Sequence, residues 1–264
     1  MVVRVLCWNI HKGIGGLDRK YQLGRTIGVF EELRPDVALL QEVSFGLPRT
    51  RHDDQFEILR EASGLPHGIL APQHRFRYGG YGNVILSRWP LEQVIHTDLT
   101  IGGAKRRGAS HATTTLSTNG TAAKVVFTTL HLGLRSRERE QQMQRLLRAF
   151  QEHTLSHLAA IVLGGDLNDV GGNLGERWLH PHGFSRAGAA TATFPAILPM
   201  QPLDGLFVRG SIKVLEVRAP RTPAIARASD HLPILADLQL PHHDSRPFCA
   251  ELPHLNQMVA RGLS

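Results

Sequence analysis

Short apolar runs recur along this chain, and one after another they lead into or out of a carboxylate, an amide or an imidazole: CWNI, ALLQEV, GNVILS, FTTLHLG, IVLGGDLN, PLDGLFV and SDHLPI. Runs of this length, bounded by Gly, Asn, Asp and Ser, are buried strands rather than helices. Strands are expected over residues 2–10, 36–41, 83–87, 110–117, 123–131, 159–163, 203–208, 212–218 and 232–238. Thr118-Asn119-Gly120 reads as the hairpin turn between the fourth and fifth of these strands. Amphipathic helices are expected over 21–33, stopped by Pro35, over 54–62, and over 136–153, where Ser136 can cap and Met143, Leu146, Leu147 and Phe150 share a face. Strands paired partly through hairpins and partly through helices cannot close on a single layer. They predict stacked sheets covered by helices, an α/β (α+β) architecture.

Composition supports one sizeable core. Of 264 residues, 42% are hydrophobic and 20% charged, ordinary for a globular domain. No apolar stretch reaches the length of about 18 residues that spans a bilayer. The N-terminus begins directly as a strand, without the basic and apolar regions of a signal peptide. Cys7 and Cys249 do not make a disulfide framework, so a reducing, cytoplasmic setting is expected. Residues 1–240 are expected to form one catalytic domain and 241–264 a polar tail. The formal charge is +7, nearly all of the excess being arginine, which favours polyanionic partners.

The polar residues at the strand ends are Asn9, Glu42, Asn83, His131, Asp166 with Asn168, Asp204, and Asp230 with His231. Each alone has a plain structural explanation. LGGDLND (163–169) by itself is a turn sequence, and Asp166 and Asn168 point to one side only if the strand continues through them. Together they are more than turn statistics supply. Their oxygens suit a hard divalent cation, Mg²⁺ above all. The chain has no cysteine cluster, HExxH helix, P-loop or GxSxG elbow.

With these segments in view, the sequence resembles the endonuclease/exonuclease/phosphatase superfamily, which includes pancreatic deoxyribonuclease, abasic-site endonucleases, neutral sphingomyelinases and inositol polyphosphate 5-phosphatases. WNI (8–10), LQEV (40–43), GNVILSR (82–88), HLG (131–133), GDLND (165–169), LDGLFV (203–208) and SDHLP (229–233) carry the resemblance. NIHKG, KRRGA and HLGLR are similar to small uncharacterised bacterial members. The resemblance implies a four-layered sandwich, two mostly antiparallel sheets face to face with helices on both outer sides. It implies a phosphoesterase in which Glu42, Asn9 and Asp230 hold Mg²⁺, which Mn²⁺ can replace. Asp166 and Asn168 would position water and phosphoryl oxygens, with Asp204 orienting a catalytic His231. His131 would meet the phosphate or leaving oxygen, and Asn83 would support it. His11 stands where several abasic endonucleases have Asp, which weakens a two-metal assignment.

A neutral His231, with an ordinary imidazole pKa of about 6.5, would be available to take a proton from water, and the sequence does not choose between it and Asp166 as the base. Arg107, Lys12 and His11 complete the expected substrate contacts. Arginines in HRFR (74–77), AKRRGA (104–109) and GLRSR (133–137) favour a nucleic-acid phosphodiester cut by direct water attack. A phospholipid diesterase or an inositol-phosphate phosphatase is the alternative, and a monomer is expected. A lipid enzyme would need exposed apolar loops beside the site; the apolar run FPAILPM (194–200), just before Asp204, is the candidate for one, and its plain reading is core.

Overall fold

The computed structural model describes residues 1–118, 121–152 and 160–240. Along the chain come β1 (Val2–Asn9), α1 (Leu23–Leu33), β2 (Val37–Phe45), α2 (Gln55–Ser63), β3 (His67–Arg75), β4 (Gly80–Ser87) and β5 (Glu92–Asp98). The hairpin strands β6 (Gly108–Thr118) and β7 (Thr121–His131) lead to α3 (Ser136–Glu152), β8 (Ala160–Asp166), α4 (Leu174–Leu179) and β9 (Phe184–Arg186). β10 (Asp204–Gly210), β11 (Lys213–Arg218), α5 (Pro223–Ala228) and β12 (Ile234–Gln239) follow.

Two six-stranded sheets result, ordered β11-β12-β1-β2-β4-β3 and β5-β6-β7-β8-β10-β9. Each has one parallel pair at its centre, β1 with β2 and β7 with β8, and antiparallel pairs elsewhere. A parallel pair needs a crossover, and α1 and α3 supply the two.

Period-two alternation sorts the layers. On β1, Val3, Val5 and Cys7 join Val37, Leu39, Phe127, Val162, Leu206 and Ala236 in the core between the sheets. The alternate residues Leu6 and Trp8 face outward, against Val29, Phe30 and Leu33 of α1, Leu59 of α2 and Ile225 of α5. On the other side Val126, Ile161, Leu163 and Phe207 meet Met143, Leu146 and Phe150 of α3 and Leu174 and Leu179 of α4. Helix, sheet, sheet and helix make the expected four layers.

The helix ends follow local chemistry. Asp54 accepts from the backbone N–H groups of Phe56 and Glu57 at 3.1 and 3.3 Å, capping α2, and Gly64 ends it at φ 69°. α1 starts at Leu23, two residues after the expected start, and stops at Arg34 (φ 47°) ahead of Pro35.

GGD is the instructive departure. The expected strand stops at residue 163, yet β8 runs through Gly164 and Gly165 to Asp166. A Cβ on Gly164 would lie 2.9 Å from Leu39 and Leu206 side-chain carbons and 3.0 Å from Cys7 Sγ; one on Gly165 would lie 2.1 Å from the Leu130 carbonyl oxygen. The glycines permit close approach of backbone and sheets and do not turn the chain. The turn comes later, where Asp169 Oδ2 accepts from Leu174 N–H at 2.6 Å. Because the strand ends at Asp166 and Asn168 sits at φ 51°, the two side chains do not share a strand face.

FPAILPM is core only in part: Ala196 is buried in the cluster with Trp8 and Ile225. Ile197, Leu198 and Met200 are exposed. The expected turn residues Asn119 and Gly120, residue 153, the start of the 159–163 strand, Cys249 and the tail 241–264 lie outside the described residues.

Candidate active site

The rows of side chains between the sheets change character toward the end where the parallel strands finish. Val3, Val5 and Cys7 give way to Asn9; Val37 and Leu39 to Gln41; Val125 and Phe127 to Thr129 and His131; Val162 and Gly164 to Asp166. Gln41 Nε2 donates to Thr129 Oγ1 at 3.0 Å, a buried polar rung joining the two sheets. One step further out, Asn9 Nδ2 donates to Asp166 Oδ2 at 3.0 Å. The candidate site is the polar end of the seam.

Asp166 is its hub. His131 Nε2 lies 3.3 Å and His231 Nε2 3.8 Å from Asp166 Oδ2. Asn168 donates its backbone N–H to Asp166 Oδ1 at 2.9 Å, and its Nδ2 to the Leu132 carbonyl at 2.8 Å. Asn168 therefore fixes the loop as well as the carboxylate. On the far side of the ring, His231 Nδ1 is 2.8 Å from Asp204 Oδ2, which also accepts from Thr193 Oγ1 at 2.5 Å. The SDH segment is tied to β1: Ser229 Oγ donates to the Asn9 carbonyl at 2.7 Å, and Trp8 Nε1 to the His231 carbonyl at 2.9 Å.

These contacts set the proton balance. Burial disfavours a charged His231, but Asp204 and Asp166 outweigh it and push its pKa up to about 10. Burial pushes the Asp166 carboxyl up to about 6, against the pull of His231. Burial, with Arg107 nearby, holds His131 well below the usual imidazole range. The sequence expectation of a neutral His231 rested on its ordinary pKa, which these contacts raise. The two carboxylates favour the charged form of His231, and burial favours the neutral form of His131.

A second group lies on the other side of Asn9. Glu42 is carried by a bulge in β2 between Leu40 and Val43 and stands at φ 57°. Bulges re-aim side chains beside active sites. Burial disfavours its charge, but Lys12 Nζ, hydrogen-bonded to Glu42 Oε2, overrides that and lowers its pKa. Lys12 was expected to meet substrate; its ammonium is instead engaged by Glu42 and lies 4.5 Å from the Tyr81 ring centre. His11 donates its N–H to Asn9 Oδ1 at 3.0 Å, and its Nδ1 lies 3.0 Å from the Ile14 carbonyl and 3.5 Å from Asp230 Oδ2. His11, Lys12, Glu42 and Asn168 all hold positive φ. Such strain concentrates where a site over-determines the backbone.

Arg107 is buried, and its Nε and Nη1 have no hydrogen-bond partner among the described residues. A guanidinium left unsatisfied at the edge of an anion-binding chemistry is a vacant donor pair. Asn83 Nδ2 and Gln73 Nε2 both donate to the Gly108 carbonyl, at 3.1 and 3.0 Å, and so pin the strand that carries Arg107. Asn83, expected among the substrate contacts, uses its amide here.

Asp166, Asp204 and His231 offer ligand atoms all within 4.8 Å of one another, a possible metal site. The expected oxygen set of Glu42, Asn9 and Asp230 is distinct from it, though Asn9 donates to Asp166. Thr193, Tyr81 and the Gln41–Thr129 rung were missed from sequence. Only the rung had a signal, as polar residues at alternate positions of otherwise apolar strands.

The family model described as Endonuclease/Exonuclease/phosphatase family matches residues 6–231. The chain belongs to this family. Members of the endonuclease/exonuclease/phosphatase family are hydrolases acting on phosphoester bonds, which the Asp–His–Asp network and the hard oxygen donors suit. The chain is 28% identical over 260 residues to the uncharacterised protein YbhP of Escherichia coli (strain K12), covering 90% of this chain and 96% of that one. Its fold is similar to that of an endonuclease/exonuclease/phosphatase from Beutenbergia cavernae (TM-score 0.74, 24% identity, 90% of this chain and 72% of that one). It is similar also to one from Bacteroides vulgatus (TM-score 0.71, 19% identity, 91% and 100%). Among the described residues, no helix is long and apolar enough to cross a membrane.

Proposed function

We propose that this family member is a metal-dependent phosphodiesterase that hydrolyses its substrate by direct attack of water. The observation that carries the reading is the convergence of Asn9, His131 and His231 on one Asp166 oxygen, with Asp204 locking the His231 ring. Asp166, whose pKa of about 6 leaves it ionised at neutral pH, is placed to take a proton from water. His231, held as imidazolium, supplies positive charge where the phosphoryl oxygens gain negative charge. Asp204 fixes that ring. His131 is a neutral donor or acceptor for the leaving oxygen, and Arg107 offers its unpartnered nitrogens to a phosphoryl oxygen.

Glu42, Asn9 and Asp230 would hold the metal. They fit: the donors are hard oxygens, and Lys12 already places a cation on the buried Glu42 carboxylate. Mg²⁺, or Mn²⁺ in its place, would supply Lewis-acid neutralisation of the phosphate charge. Nucleic acid, the sequence expectation, rests on the arginines of HRFR, AKRRGA and GLRSR. Arginine binds any phosphate bidentately, so arginine alone does not choose between a nucleic-acid backbone and a lipid headgroup.

The test is hydrolysis of bis-nitrophenyl phosphate by the purified chain. Turnover is expected only with added Mg²⁺ or Mn²⁺, and full turnover in excess chelator overturns the metal assignment.

A further inference from the structure

Among the described residues eleven large apolar side chains are exposed, and eight of them sit on loops around the site. Single exposed apolar residues need no explanation; their segregation to one end does. Each loop is tied to a site residue. Leu17 follows Gly16, on which a Cβ would lie 2.6 Å from Asp230 Cα. Phe76 and Tyr78 follow His74, whose ring stacks on Tyr81 at 4.8 Å. Leu134, 74% exposed, comes two residues after Leu132, whose carbonyl accepts from Asn168. Val170 comes two residues after Asn168 itself. Ile197, Leu198 and Met200 extend from the loop whose Phe194 ring lies 5.0 Å from His231 and whose Ala196 N–H donates to the Asp230 carbonyl at 2.8 Å. The other three, Val2, Val94 and Leu215, lie at the far end of β1 or on the edge strands β5 and β11.

Exposed cations share two of those loops, Arg75 and Arg77 beside Phe76 and Arg135 and Arg137 beside Leu134, and Lys105 and Arg106 lie on another loop ahead of Arg107. A nucleic-acid groove needs the cations but gains nothing from solvated leucine and methionine. Apolar tips interleaved with arginine suit a surface with negative headgroups above an apolar layer.

We infer that the mouth of the site docks on an anionic phospholipid surface and takes its phosphodiester from a lipid headgroup there. The inference rests on the phosphodiesterase reading for its chemistry, but the docking is a property of the loops. Leu134, Leu198 and Met200 enter the headgroup layer, the arginines pair with lipid phosphates, and Arg107 remains below to receive the scissile phosphate.

Flotation of the full chain with vesicles tests it. The protein is expected to float with phosphatidylcholine vesicles doped with phosphatidylglycerol, and to stay behind with phosphatidylcholine alone. The pair Leu198→Asp and Met200→Asp should cut flotation at least about tenfold. Val2→Asp and Leu215→Asp should leave it unchanged. Hydrolysis of bis-nitrophenyl phosphate by the Leu198→Asp, Met200→Asp chain should stay at the wild-type level, which also shows that it is folded. Absence from the anionic vesicles, flotation insensitive to the loop substitutions, or retention by duplex DNA in place of vesicles overturns the docking surface. His231→Ala should float normally, so loss of small-diester turnover with flotation intact strikes the chemistry and not the surface.

Discussion

The Lys12 ammonium rests on the Glu42 carboxylate, so a divalent ion arriving at Glu42 must displace it. A partly buried pair of this kind is worth on the order of 1 kcal/mol. Lys12→Met should therefore tighten Mg²⁺ binding severalfold by calorimetry, and unchanged affinity would remove Lys12 from the metal equilibrium. His231→Ala should lower turnover of a small diester by roughly a hundred- to ten-thousand-fold with Mg²⁺ affinity near normal, whereas Glu42→Gln should weaken the metal itself. Equal loss of affinity in both variants contradicts that division. The His231 pKa also predicts a pH dependence. A group raised from its unfolded value of about 6.5 to about 10 contributes stability that is complete below the first value and lost as pH rises through the second. In chelator, the urea midpoint should fall between neutral pH and pH about 10, and His231→Gln should flatten that fall.

At the scale of strands and helices, the two glycines of β8 make the sharpest prediction. Gly164→Val places carbon against Leu39, Leu206 and Cys7 and should cost about 1–3 kcal/mol in urea denaturation. Gly28→Ala, in α1 with nothing within 4 Å of the added carbon, should stabilise by about 0.5–1 kcal/mol. A neutral Gly164→Val would mean that the sheets tolerate a wider gap there. The same elements explain what could be read from sequence. β1, β2, β7, β8 and β10 are apolar on both faces, so their runs stand out, and their polar successors Asn9, His131 and Asp166 stood out with them. β3 carries Pro72, and β5 is exposed at most positions. Both are edge strands with one face or less to bury, and both escaped notice. Thr193 escaped for another reason: it reaches Asp204 through a loop whose meeting with β10 depends on the finished packing. FPAILPM misled because apolar composition does not distinguish a core segment from a solvated tip.

Across the whole molecule, the Asn9–Asp166 and Gln41–Thr129 bonds join one sheet to the other, so occupancy of the site should be felt globally. Mg²⁺ at about a hundredfold over its Kd should stabilise the fold by about 2.7 kcal/mol, seen as a rise in calorimetric Tm that chelator and Glu42→Gln each abolish. No shift at saturating metal would place the ion elsewhere. The sheets differ in how the chain builds them. β5 to β10 come from one continuous stretch, whereas β12 inserts between β1 and β11 and brings the two ends of the described chain side by side. Asp230 and His231 are delivered by the turn that leads into β12. A polypeptide emerging from the ribosome thus exposes Glu42, His131 and Asp166 long before it owns an imidazolium to pair with them. On the proposed mechanism, translation order would leave the site without its His231 until the closing strand is made.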